Sequence, residues 1–97
     1  MIAAVATMYV QVDKAEAFEA VVRELERQVA AHEPDCSLYR MARDRKDPGI
    51  YRSLEMFRDQ AAIDLHIAQG YFRTALVGMR ACLTKTPSTV EFMDTIS

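Results

Sequence analysis

The sequence predicts an α+β protein of ferredoxin-like βαββαβ order, in which a four-stranded antiparallel sheet carries its helices on one face. Three observations carry that prediction. Apolar residues recur at helical spacing in two stretches, four other stretches read as strands, and Pro34, Pro48-Gly49 and Pro87 punctuate the boundaries between them. The 97 residues make a single domain, and a chain of this size buries only about 60–70% of its unfolded surface. An apolar fraction of 51% with 3 Gly and 3 Pro indicates ordered structure, and the net charge of -2 gives no general attraction to nucleic acid or an anionic membrane.

The first strand is expected over Ile2–Val12, where both alternating faces are largely apolar, so it should be covered on both sides. The same run has no basic segment ahead of it and passes straight into Asp13-Lys14, which makes a signal peptide unexpected and a cytoplasmic location the expectation. Asp13 with Glu16 resembles a capping box opening a helix. Phe18, Val21, Val22, Leu25 and Val29 form its apolar stripe, and Pro34 ends it by forcing Glu33 out of helical geometry.

The second and third strands, Cys36–Arg43 and Ile50–Phe57, flank a polar loop ending in Pro48-Gly49 and should form a hairpin. The third strand puts Tyr51, Ser53, Glu55 and Phe57 on one face. Asp59 is the expected N-cap of a second helix, in which Ile63, His66, Ile67 and Gly70 share a stripe and Gly70 interrupts. Helical spacing resumes with Phe72, Leu76, Met79 and Leu83, and a last strand is expected at about Ser88–Met93.

Right-handed crossovers place all the helices on one face of the sheet. The other face is then bare and apolar, and a second copy packing sheet to sheet is the economical cover, so a homodimer is expected. Cys36 and Cys82 are expected to be reduced thiols. No metal site is expected, since His32 and His66 are the only histidines and neither belongs to a cluster of ligating residues.

The run Glu33-Pro34-Asp35-Cys36-Ser37-Leu38-Tyr39 resembles the EPGC-x-x-Y segment of the antibiotic biosynthesis monooxygenase (ABM) family. Leu54-Glu55-Met56-Phe57-Arg58-Asp59, Ala61-Ala62 and His66 resemble its E-x-W-x-[DS]…A…H segment, and Tyr71-Phe72 its H-F pair. The chain departs from the pattern at Asp35, where Gly is usual, and at Phe57, where Trp is usual. The resemblance runs from about Val5 to Met93. It implies a dimeric α+β barrel, with a small-molecule pocket between sheet and helices and no cofactor. Many members of that family are cofactor-independent monooxygenases of polyketide-type phenols and quinols; others degrade haem or rearrange small metabolites.

Such chemistry needs a base, and an imidazole near neutral pKa suits the role. The expected catalytic residues are His66 and Glu55, with Glu55 orienting or charge-balancing the imidazole. Tyr51 and Tyr39 are the expected hydrogen-bond donors to substrate, and Phe57 and Phe72 the apolar wall. Each has a purely structural counterpart: a satisfied core histidine, a strand–helix ion pair, aromatic packing. The function expected is a monooxygenase acting on a small phenolic or quinol-like compound. A non-catalytic dimeric binding module and an isomerase are the alternatives, and the lack of Trp and Asn argues against haem degradation.

Overall fold

In the computed structural model, which describes all 97 residues, β1 (Ile2–Tyr9) runs through the middle of the sheet, as its two apolar faces require. It is followed by a 3₁₀ turn (Val12–Lys14), α1 (Ala15–His32), β2 (Cys36–Arg43) and β3 (Ile50–Phe57). Then come α2 (Gln60–Ala68), α3 (Gly70–Arg80) and β4 (Thr89–Asp94). The sheet order is β2-β3-β1-β4 and every pairing is antiparallel. The expected ferredoxin-like α+β fold is therefore the one observed.

Three boundaries differ from expectation. Strand β1 ends at Tyr9: Val10 N–H still meets Gly49 O (2.8 Å), but Val10 bridges to Leu83 and Gln11 N–H turns to Cys82 O (2.9 Å), outside the strands. The capping box does not form. Lys14 N–H bonds back to Gln11 O at 2.9 Å, closing a 3₁₀ turn with Asp13 inside it, and no side chain caps α1. The break between α2 and α3 lies at Gln69, extended at φ -70° and ψ 139°, while Gly70 is already helical. Asp59 caps α2 as expected, accepting from Ala62 N–H at 3.0 Å.

The core lies between the helices and the inner face of the sheet. Phe18, Val22, Leu25 and Val29 of α1 pack against Met8, Val10 and Tyr51 from the sheet and Ala75 and Met79 from α3. Strand register lays the inner face out in rows across the strands. Tyr39, Glu55, Ala4 and Phe92 form one, and Met41, Ser53, Ala6 and Val90 the next. The outer face has a row Leu38–Met56–Ala3–Met93, beside a row in which Leu54 and Val5 lie between Arg40 and Glu91. Leu38, Leu54 and Met93 keep 40%, 42% and 46% of their surface exposed, so no part of this chain covers that end of the face. No helix is long and apolar enough to cross a membrane.

Candidate active site

Pro34 sets the site's first residue. The residue before a proline is driven out of the α region, and Glu33 adopts φ -123° and ψ 79° directly after the last turn of α1. Its side chain ends up 3% exposed, inside the end of the domain. There His66 of α2, also 3% exposed, brings Nδ1 to 2.9 Å and 3.1 Å from the two Glu33 carboxylate oxygens. The Tyr71 hydroxyl donates to Glu33 as well, and the Tyr71 ring stacks on His32 with centroids 5.9 Å apart. A buried carboxylate is tolerable only when its lone pairs are used, and here three contacts from two side chains use them.

Around the imidazole stand three aromatic rings. Phe72, Tyr39 and Phe57 have centroids 4.6, 5.1 and 5.4 Å from that of His66. With Nδ1–H donated to a carboxylate, the basic position of the ring is Nε2. No fully buried side-chain nitrogen or oxygen in the chain lacks a hydrogen-bond partner. Nε2 makes no hydrogen bond within the chain, so it lies where the adjoining cavity reaches it. That cavity, about 260 Å³, is bounded by His66, Tyr39, Glu55 and Phe57 at one end. Phe72, Leu76 and Met79 of α3 form its wall, and Val90 and Phe92 of β4 its flank.

Glu55 lines this cavity but is not the partner of His66. It accepts from the Ser53 hydroxyl, which is held in turn by Ala6 N–H at 3.1 Å. Burial pushes the Glu55 carboxyl above its ordinary range; the Ser53 hydrogen bond and the positive charge of a protonated His66 oppose that rise, and the charge of Glu33 adds to it. Burial likewise raises the Tyr39 and Tyr71 phenols, aided by Glu55 at Tyr39 and by Glu33 at Tyr71. Both hydroxyls therefore remain donors at neutral pH. Cys36 is pushed up to about 11, first by burial and then by the charge of Glu33, so it is a neutral thiol.

Of the residues singled out from sequence, the structure brings His66, Glu55, Tyr39, Phe57 and Phe72 to one cavity and leaves Tyr51 out of it. Tyr51 shares the inner face with Glu55, but α1 lies over its end of β3. Its ring tilts on Phe18 at 4.8 Å, and its hydroxyl donates to Glu19 at 2.5 Å, beside Arg43. The orienting role expected of Glu55 is held by Glu33 with Tyr71. The signal for Glu33 was present in the sequence, as a carboxylate ejected from a helix by proline. What was missing was its 33-residue separation from His66 being closed by the fold. No group of three or more His, Cys, Asp or Glu side chains is placed to hold a metal ion.

Known structures share the whole of this architecture. A Caulobacter crescentus CB15 protein, provisionally named an antibiotic biosynthesis monooxygenase, superposes with a TM-score of 0.95 at 32% identity, over 99% of this chain and 90% of that one. A second antibiotic biosynthesis monooxygenase superposes at 0.90 with 28% identity over 100% of both chains. A conserved protein of Methanosarcina mazei Go1 shares the fold at 0.88 with 23% identity, over 95% of this chain and 89% of its own. A comparison with curated proteins found no match. The model of the family described as antibiotic biosynthesis monooxygenase matches residues 1–77, which contain Glu33, Glu55, His66 and Tyr71, and this chain belongs to that family.

Proposed function

We propose that the protein is a cofactor-independent monooxygenase that uses the Glu33–His66 pair to deprotonate a small phenol or quinol in the cavity. The observation that carries this reading is a buried imidazole, anchored through Nδ1, whose other nitrogen borders a largely apolar cavity. Nε2 takes the phenolic proton, and Glu33 balances the imidazolium that forms. The Tyr39 hydroxyl donates to the substrate oxygen, and Glu55, its pKa raised by burial, lines the cavity beside it. The electron-rich phenolate gives an electron to dioxygen, recombination at a ring carbon gives a peroxide anion, and the proton held on Nε2 returns to it to form the hydroperoxide. Loss of water then yields the quinone, so that phenol and dioxygen become quinone and water. The apolar walls keep bulk water from reprotonating the anion.

The test is oxygen uptake by the wild type with a panel of naphthols and anthrones, repeated with His66→Ala. Loss of at least about 100-fold in kcat/KM is expected for a general base. Full activity in the variant would overturn the role of His66. Turnover of the same compounds without oxygen would assign the isomerase reading instead, and ligand-induced stabilisation without turnover the binding-module reading.

We further propose that a second copy covers the outer face of the sheet, centred on Leu38, Leu54 and Met93. Their exposure on an uncovered face supports this. A monodisperse monomer at micromolar concentration in sedimentation velocity would contradict it.

A further inference from the structure

The cavity is not equally apolar at both ends. Its far end is bounded by Arg80, Leu83, Ser88 and Met8, away from His66. Arg80 is the one Lys or Arg among the lining residues, and its guanidinium makes no ion pair with any Asp or Glu of the chain. It makes no side-chain hydrogen bond either, unlike Arg23, Arg27 and Arg52. The separation of the two ends follows from α3. Phe72 packs on His66 at 4.6 Å, and Arg80 lies eight residues further along the same helix, roughly 12 Å at the helical rise.

We propose that Arg80 selects substrates carrying an oxyanion substituent, of carboxylate or sulfonate type, about two fused rings away from the reacting hydroxyl. This rests on the phenol reading of the cavity and specifies the substrate class within it. An arginine without an acidic partner, at the rim of an apolar cavity, offers a planar fork that matches a carboxylate. The pairing is strengthened by the low dielectric of the adjoining wall and weakened by solvent at the rim. Glu55 lines the same cavity, at the His66 end. Burial raises its pKa, which favours its neutral form and so weakens its repulsion of a bound anion.

Binding is measured by calorimetry at pH 7.5 with four stable probes: 2-naphthol, 6-hydroxy-2-naphthoate, its methyl ester, and 6-hydroxynaphthalene-2-sulfonate. The wild type is expected to bind the carboxylate at least about 10-fold more tightly than the ester, with the sulfonate between them if bidentate geometry matters, or equal to the carboxylate if charge alone does. In Arg80→Gln the carboxylate-to-ester ratio falls toward one; in Arg80→Lys it is partly kept. Equal binding of acid and ester, or a ratio unchanged in Arg80→Gln, overturns the assignment of Arg80 while leaving the phenol site intact. Failure of all four probes, 2-naphthol included, overturns the phenol reading and the assignment together. Arg80 is exposed, so the variants are expected to fold, and coincident thermal melts verify it.

Discussion

Two tyrosine–glutamate pairs sit under opposite ends of the same sheet face, and they differ in everything but chemistry. At one end Tyr51 donates to Glu19, which keeps 30% of its side chain exposed and draws Arg23 and Arg43 around it. At the other, Tyr71 donates to Glu33, which is almost fully buried and has no arginine; its only titratable cation is His66. The first carboxylate is neutralised permanently and shares its cost with water. The second is shut away from water and is met only by the His66 imidazole and the Tyr71 hydroxyl. Burial and the identity of the neighbouring base, rather than the hydrogen bond itself, distinguish the two pairs.

Removing each carboxylate gives the largest contrast. Glu33→Ala strands two buried donors and is expected to cost about 3 kcal/mol in urea denaturation, whereas Glu19→Ala, screened by solvent, should cost under about 1 kcal/mol. Equal costs would erase the distinction. On the outer face, Leu54→Asp is expected to shift the sedimentation profile from dimer to monomer. Because Leu54 lies on the other side of the sheet, the spacing of Glu33 and His66 should survive the change. The hydroxyls come next: Tyr71→Phe should cost about 1 kcal/mol and Tyr51→Phe about half of that or less, since Arg43 still serves Glu19.

The smallest effect is a pH dependence. Glu55 has a raised pKa in the folded state, so the native protein binds its proton more tightly than the unfolded chain does. Its stabilising contribution is full below the unfolded value near 4.5 and is lost as pH rises through the folded value. Glu55→Gln should therefore match the wild type in the acid range and become the more stable of the two toward neutral pH. A difference that grows instead as pH falls would show that Glu55 is held as a carboxylate.

Much of this was legible because it is local. The stripe of α1, its ending at Pro34, the hairpin around Pro48-Gly49 and the Asp59 cap follow from spacing and backbone restriction within a few residues. So did the grouping of Ser53, Glu55 and Phe57, which strand alternation fixes. Alternation also put Tyr51 with them, and there it failed, because parity gives the face but not which helix lies over each end. Asp13 failed for a related reason: contacts from the end of α3, including Gln11 to Leu83 O, govern that segment more strongly than a single cap. Glu33 and Tyr71 carried local signals of order, yet their meeting with His66 is a property of the packed domain alone.

The cavity draws its two halves from different stretches of chain. Tyr39, Glu55, Phe57 and His66 come from the middle of the sequence, while Arg80, Leu83, Ser88, Val90 and Phe92 come from its last quarter. The two sets line one cavity, and changes at positions coupled through a shared cavity do not simply add. A substitution in the C-terminal segment therefore changes the space beside Glu55 and His66 as well as the far end of the cavity.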